Sequence, residues 1–214
     1  MCPLLDFANH SLSATNFNNS EYRQAGHPIP TMIAPDRGLH SGEQVYLLYG
    51  YHSNQTLFVE YGFTAPMSPL ELSIDWHVTA LFKQADNGNE KKALLEARGY
   101  WGNWTLHAEP APAHPSYRLV PTLRLFHIHL SDENALQSWE ATLNGELDEI
   151  SVQNSEGVRQ TLEQLCLELQ EEANAHLLSP SIGISSGDSV RRLWVEQRDI
   201  CAAIVQGISD GIEF

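Results

Sequence analysis

Cysteine is scarce in this chain of 214 residues, which contains only Cys2, Cys166 and Cys201. These residues lie far apart in the sequence and form no Cys-x-x-Cys pair. A disulfide scaffold or a zinc knuckle needs several cysteines at close and regular spacing. The cysteine pattern therefore argues against both classes, and an apolar fraction of 42% predicts an ordinary packed core instead.

Basic residues are also few. The chain has 12 lysine and arginine residues against 27 aspartate and glutamate residues, which gives a formal net charge of −15. A surface of this charge repels phosphate backbones, so we expect no nucleic acid among the partners. The same charge suits either simple solubility or a meeting with a basic partner, and the composition leaves both open.

Long apolar runs are absent as well. No stretch reaches the ~18 apolar residues that a membrane helix needs, so we expect no membrane partner. The first residues, Met1-Cys2-Pro3-Leu4-Leu5-Asp6, lack the basic and apolar regions of a signal peptide. The sequence therefore predicts a cytoplasmic or nuclear location.

The first 66 residues are rich in Gly, Pro, Asn and Ser and carry short strand-like runs. We predict strands over 31–34 and 44–49, a loop over 16–30, and a short helix over 53–61 that Ser53 can cap.

Helical patterns dominate the rest of the chain. After a strand predicted over 70–74, the apolar spacing and the stop signals predict helices over 90–98, 121–130, 155–178 and 189–207, and a helix start at 131–134. A flexible link is predicted over 183–189. The sequence thus predicts an α+β fold whose C-terminal part is mainly helical.

Two segments of the first 66 residues carry recognisable motifs. The first contains Asn9-His10-Ser11, and the second contains Gly42-Glu43-Gln44, Tyr49-Gly50, Ser53-Asn54 and Tyr61-Gly62-Phe63. In this order they resemble the two C-terminal signature motifs of SET-domain methyltransferases. The motif pair is specific because each motif has the expected residue types and the expected place.

The resemblance extends over nearly the whole chain and points to the Rubisco large-subunit methyltransferase type. Leu70-Glu71-Leu72-Ser73-Ile74 is similar to the strand that opens the helical domain of that type. The resemblance implies that residues 1–66 form the C-terminal part of a SET domain, a partial SET β-region. It also implies that residues 67–214 form a helical substrate-binding domain.

The resemblance implies S-adenosylmethionine as cofactor and a protein lysine as substrate. Transfer of a methyl group from a sulfonium to an amine is a direct displacement, which needs the amine neutral, in line and shielded from water. Aromatic walls and hydroxyl dipoles suit this reaction. Tyr49 and Tyr61 match the catalytic tyrosine and the lysine-channel tyrosine, in roles that could be exchanged, while Asn9 and His10 match the cofactor-holding pair.

The family's Gly-x-Gly cofactor strands precede the Asn-His segment, and no such motif precedes Asn9 here. We therefore expect methyl transfer, and cofactor binding, only when the missing N-terminal half is supplied. Two alternatives stay open: a protein-binding pseudoenzyme, and a cofactor-independent enzyme such as a small-molecule cyclase with an aromatic pocket. A homodimer or a partner chain could bury the strand edges that such a remnant exposes.

Two further groups of residues are candidate sites by composition alone. His127 and His129 would share one face of a strand but diverge on a helix, and no nearby carboxylate or cysteine completes a ligand set, so we predict no metal site. Trp101 and Trp104 are interpreted as core or interface aromatics, with an aromatic ligand pocket as the alternative.

Overall fold

Two compact units, Met1–Pro69 and Leu70–Phe214, make up the protein in a computed structural model. The structure describes residues 7–14, 23–24, 27–28, 38–179 and 187–214. Both units combine helices with strands of two or three residues, and the second unit is mainly helical. The predicted α+β class with a helical C-terminal part is confirmed.

Four strands of two residues each lie in the first unit: β1 (Asn9–His10), β2 (Arg23–Gln24), β3 (His27–Pro28) and β4 (Tyr46–Leu47). β1 pairs with β4 in parallel, and β2 pairs with β3 antiparallel. The strand predicted over 44–49 is thus shorter than expected, because only its central two residues have a pairing partner among the described residues.

The hairpin of β2 and β3 falls inside the segment 16–30, which the sequence predicts as a loop. That prediction is wrong for these four residues, because backbone pairing over two residues leaves no hydrophobic periodicity in the sequence. The strand predicted over 31–34 lies outside the described residues.

Helix α1 (Asn54–Tyr61) confirms the predicted short helix and its cap. The Ser53 side chain accepts a hydrogen bond from the Thr56 backbone N–H, which satisfies one of the free donors of the first turn. The helix ends at Gly62, whose φ of 79° is left-handed and whose N–H donates to the Phe58 carbonyl at 3.0 Å. Glycine suits this C-cap because it has no Cβ to clash.

The sheet of the second unit has three antiparallel strands, β5 (Glu71–Ser73), β6 (Thr105–His107) and β7 (His114–Pro115), in the order β5-β6-β7. Leu72 lies opposite Leu106, and both are buried. β5 falls within the strand predicted over 70–74. β6 and β7 were not predicted, since β7 is two residues at the end of a proline-rich connection.

Six helices of the second unit are α2 (Asp75–Gln84), α3 (Gly88–Ala97), α4 (Leu119–Phe126), α5 (Glu133–Leu143), α6 (Val152–Leu178) and α7 (Gly187–Ser209). α3, α4 and α6 each begin two or three residues before the predicted start, and α4 ends earlier than predicted. The Asp132 side chain caps α5 by accepting from the Ala135 N–H, as the start signal at 131–134 predicts. α7 includes residues 187–189, which the sequence assigned to a link.

The core of the second unit is built on the apolar face of α6, which packs along α7. The spacing of three and four residues predicts an apolar face of Val158, Leu162, Leu165, Leu169, Ala173 and His176 or Leu177. The first five are buried, whereas His176 is exposed and Leu177 is half-buried. Inside this core, the Trp104 indole N–H donates to the Thr122 hydroxyl at 2.9 Å.

Candidate active site

The pairing of β1 with β4 brings two distant sequence motifs together. Asn9 lies opposite Tyr46, and His10 lies opposite Leu47. The Ser11 backbone N–H donates to the Leu47 carbonyl at 3.0 Å, so the ladder continues one residue past β1. The Asn-His segment therefore lies beside the segment that leads to Tyr49.

His10 contacts the backbone of Tyr49 directly. The Tyr49 N–H donates to Nδ1 of His10 at 3.1 Å, and the two ring centroids are 5.3 Å apart. His10 is buried, and this burial lowers its pKa below the ordinary value, as does the nearby imidazole of His52, while the Leu47 backbone opposes the shift. Both effects favour the neutral ring, which is the form whose Nδ1 can accept a hydrogen bond.

The Tyr49 hydroxyl donates to the Ala8 carbonyl at 2.8 Å. This bond uses the only hydroxyl hydrogen and fixes the position of the oxygen, which keeps lone pairs for another contact. Oriented lone pairs of this kind are able to stabilise a positively charged group placed next to them.

Four rings form an aromatic cluster in the first unit: His10, Tyr49, Tyr61 and Phe63. The centroids of Tyr49 and Tyr61 are 4.9 Å apart, and Phe63 lies 6.2 Å from Tyr61 and 6.1 Å from His10. Tyr49 is half-buried, whereas Tyr61 is 49% exposed. The cluster is therefore open on the Tyr61 side, and its ring faces offer a surface that attracts cations.

The structure brings together three of the four residues named from the sequence, namely His10, Tyr49 and Tyr61. Asn9 is next to them in β1 and is exposed. Its backbone pairs with Tyr46 in the ladder.

Gly50 follows Tyr49 with a φ of 154°, a region that side chains other than hydrogen rarely adopt. A Cβ at this position would come within 2.4 Å of Nε2 of His52. The glycine of the Tyr-Gly motif therefore allows a close approach between the backbone and an imidazole that lowers the pKa of His10.

Sequence reasoning assigned no role to Asn54, although it belongs to the Ser-Asn motif. Asn54 is only 1% exposed. Its amide nitrogen donates to the Ala65 carbonyl at 3.0 Å, and its amide oxygen accepts from the Ala65 N–H at 2.7 Å. This pair of bonds fixes the chain after α1, the segment that carries Phe63 into the aromatic cluster.

The other candidates lie elsewhere and outside any strand. His127 caps the end of α4 and His129 follows in a turn, so the pair does not share a strand face. Nε2 of His127 lies 2.8 Å from the Thr161 hydroxyl. Within the described ranges, no group of three or more His, Cys, Asp or Glu residues could hold a metal ion.

Trp101 and Trp104 are core aromatics, as interpreted from the sequence. Trp104 is fully buried in the main core cluster, and Trp101 packs against that cluster. The two rings meet edge to face at 4.9 Å, and Trp101 meets Phe82 in the same way at 5.4 Å.

Comparison with characterised proteins supports the family that the motifs suggest. The chain is 27% identical over 213 residues to human SET domain-containing protein 4, a match that covers 95% of this chain and 46% of the relative. It is 30% identical over 139 residues to the mouse protein of the same name, which covers 63% and 29% of the two chains. It is also 26% identical over 218 residues to the ribosomal lysine N-methyltransferase set11 of Schizosaccharomyces pombe, covering 96% and 52%.

These relatives support a SET-type methyltransferase relationship for the chain, which spans about half or less of the length of each of them. No protein-family model matches the chain. S-adenosylmethionine is the cofactor that such relatives imply for the family.

Among the helices that the structure describes, none is both long and apolar enough to cross a membrane.

Proposed function

We propose that this chain is the C-terminal part of a protein lysine N-methyltransferase of the Rubisco large-subunit methyltransferase type, with S-adenosylmethionine as its cofactor. In this proposal residues 1–66 belong to the SET domain and residues 67–214 form the substrate-binding domain. The observation that carries the proposal is the meeting of His10, Tyr49 and Tyr61 in one aromatic cluster. Two motifs that resemble the family's signatures supply these residues.

The residues present fit S-adenosylmethionine in their chemistry. Nε2 of His10 is buried and has no hydrogen-bond partner among the described residues. Because Nδ1 accepts from Tyr49, the neutral ring carries its hydrogen on Nε2, where it is free to donate. A ligand rich in acceptors would satisfy this donor, and the exposed Asn9 amide offers both a donor and an acceptor for the ligand's polar groups.

S-adenosylmethionine, when bound, supplies an electrophilic methyl group on a positively charged sulfur. In this proposal the Tyr49 oxygen presents its lone pairs to that charge, because its hydrogen is already given to Ala8. The ring of Tyr61 forms a wall for the aliphatic stem of the substrate lysine. In this proposal the two rings flank the lysine amine and help to keep it neutral and in line.

Two observations support a protein lysine as substrate. One relative is named a ribosomal lysine N-methyltransferase. The net charge of −15 favours a basic protein partner over a phosphate backbone. Lysine side chains on a basic protein combine the required nucleophile with the complementary charge.

The experiment that tests the proposal is calorimetric titration with S-adenosylhomocysteine. The titration uses the chain alone and the reconstituted SET domain, which we define as this chain combined with the part of human SET domain-containing protein 4 that lies outside the matched region. We expect micromolar binding by the reconstituted SET domain and at least tenfold weaker binding after Asn9→Ala, the order of one lost polar contact.

Gln44→Ala is the matched control, because Gln44 is an exposed polar residue close by whose side-chain oxygen accepts from the Tyr46 hydroxyl at 2.9 Å. Equal binding by wild type and Asn9→Ala would contradict the assigned site. Absence of binding by a reconstituted domain that circular dichroism shows to be folded would overturn the methyltransferase proposal and favour a scaffold without methyl transfer.

A further inference from the structure

The hydrogen bond between Tyr49 and His10 lies beyond the β1–β4 ladder. β4 ends at Leu47, so the Tyr49 N–H has no place in the strand pairing. It donates instead to a side chain 39 residues earlier in the sequence. The next residue is Gly50, with a φ of 154°. The orientation of Tyr49 therefore depends on a side-chain acceptor.

Tyr49 is tied to the same short segment at both of its ends. Its backbone N–H reaches Nδ1 of His10 at 3.1 Å, and its hydroxyl reaches the Ala8 carbonyl at 2.8 Å. Two bonds to residues two positions apart fix both the backbone and the far end of the side chain. Loss of the backbone bond leaves only the hydroxyl bond of these two, so the Tyr49 backbone can shift and carry the ring with it.

We propose that His10 is a positioning residue for Tyr49: its neutral imidazole, with the hydrogen on Nε2, holds the Tyr49 backbone and thereby aims the Tyr49 hydroxyl. The functional consequence of this positioning rests on the proposed function, in which Tyr49 is the tyrosine assigned to methyl transfer. Its structural content, the tautomer of His10 and the anchoring of Tyr49, can be measured without cofactor or substrate.

The proposal predicts a dependence on pH. A protonated imidazole carries hydrogen on both nitrogens, so Nδ1 then faces the Tyr49 N–H as a second donor and the bond is lost. The titratable groups against His10 are Tyr49 and His52. Tyr61 is the next ring of the aromatic cluster. His52 is the group whose positive charge opposes a charge on His10.

The test is nuclear magnetic resonance on the ¹⁵N-labelled full chain and on two variants. His10→Asn keeps an acceptor at the position of Nδ1, whereas His10→Leu keeps the apolar volume and removes the acceptor. We expect the Nε2–H tautomer in the wild type. We expect the Tyr49 amide to exchange with solvent roughly tenfold faster in His10→Leu and within about twofold of wild type in His10→Asn, on the order of one hydrogen bond.

The pH titration distinguishes the proposed role of His10 from a purely structural one, because a purely structural residue would not couple the Tyr49 signals to its own protonation. In the wild type, the Tyr49 amide and ring signals should shift with the same midpoint as the His10 ring signals. In His10→Asn this step should disappear. In His52→Gln the midpoint should move to higher pH, because a charge that opposes protonation of His10 is gone.

An Nδ1–H tautomer in the wild type would overturn the proposal, as would Tyr49 signals that do not follow the His10 titration. Equal amide exchange at Tyr49 in the Asn and Leu variants would do the same. If His10→Leu loses the first unit, seen as loss of the α1 amide signals, the tautomer and the wild-type titration still decide. Failure of S-adenosylhomocysteine binding bears on the proposed function alone, since none of these readouts contains the ligand.

Discussion

The side-chain amide of Asn54 and the backbone of Ala65 form two hydrogen bonds, at 3.0 and 2.7 Å, across eleven residues. Through this pair of bonds, the buried Asn54 side chain fixes the segment after α1. Asn54→Ala should remove both bonds and leave the Ala65 polar groups without these partners, at a cost of about 2–4 kcal/mol for the local structure. Hydrogen exchange at the Ala65 amide measures the loss. Val59→Ala on the same helix is the control, because Val59 is 79% exposed and should leave that exchange unchanged.

Gly50→Ala should disturb the site more than Gly42→Ala does. Both glycines have positive φ, but a Cβ at Gly50 would lie 2.4 Å from the His52 ring, whereas a Cβ at Gly42 would meet nothing within 4 Å. We expect Gly50→Ala to cost about 1–3 kcal/mol beyond the shared backbone strain, measured by urea unfolding. Adding His52→Ala should recover most of that excess, and a double variant that recovers nothing would show that the clash is not the cause.

Tyr49→Phe should reduce methyl transfer by the reconstituted SET domain by roughly 10²-fold, on the order of one lost transition-state contact. The ring is retained, so the aromatic cluster and the fold should persist. Tyr46→Phe is the matched control. Tyr46 is a nearby exposed tyrosine whose hydroxyl bonds only Gln44 at 2.9 Å in the described structure. Full activity of Tyr49→Phe in a radiolabelled methyl-transfer assay would remove Tyr49 from the reaction.

Leu162→Ala should lower the free energy of unfolding by about 2–5 kcal/mol, because a side chain that is 1% exposed leaves a cavity in the core under α6. Leu167→Ala makes the same chemical change on the same helix at a residue that is 44% exposed, and it should cost less than about 1 kcal/mol. Tryptophan fluorescence during urea unfolding reports both, since Trp104 and Trp139 lie in the same core. Similar costs for the two variants would contradict the burial of this face.

The second unit should lose stability in mild acid through His107. Burial lowers the pKa of His107. The Glu71 carboxylate opposes this shift, whereas the stacked imidazole of His114 adds to it. The folded pKa is below the unfolded value of about 6.5, so the unfolded chain binds more protons. The contribution of neutral His107 to the free energy of unfolding is therefore fully present above about pH 6.5 and is lost as the pH falls through the pKa of the folded state.

His107→Gln should accordingly show a smaller fall in Tm between pH 7.5 and pH 5 than the wild type. His129→Gln is the control because His129 is an exposed histidine of the same unit. A pH dependence of Tm that is the same in all three proteins would exclude His107 as a source of acid sensitivity.

Two helix starts and one helix end were predictable from local chemistry. Ser53 and Asp132 cap α1 and α5 through bonds to residues three positions on, and Gly62 ends α1 with a left-handed φ. Such signals act within one turn of helix, so they are visible in the sequence itself. The periodic face of α6 was predictable for the same reason, because burial of one stripe imposes a spacing of three and four residues.

Five of the described strands, β1, β2, β3, β6 and β7, were not predicted. Each has two or three residues, which is too few for an alternating pattern to stand out from loop composition. Pairing partners such as Leu106 and Pro115 are chosen by the packing of the whole sheet. The exact length of β4 was set in the same way, by the two residues that β1 offers for pairing.

The sequence by itself determined the order of the two motifs, the residue types of the candidate site and the helical character of the second unit. Only the tertiary structure decided that the His10 imidazole accepts from the Tyr49 backbone and that Asn54 fastens the segment carrying Phe63. The physical reason is distance along the chain. Contacts within a helical turn leave a local pattern in the sequence. A hydrogen bond across 39 residues forms only when the rest of the fold brings its two ends together.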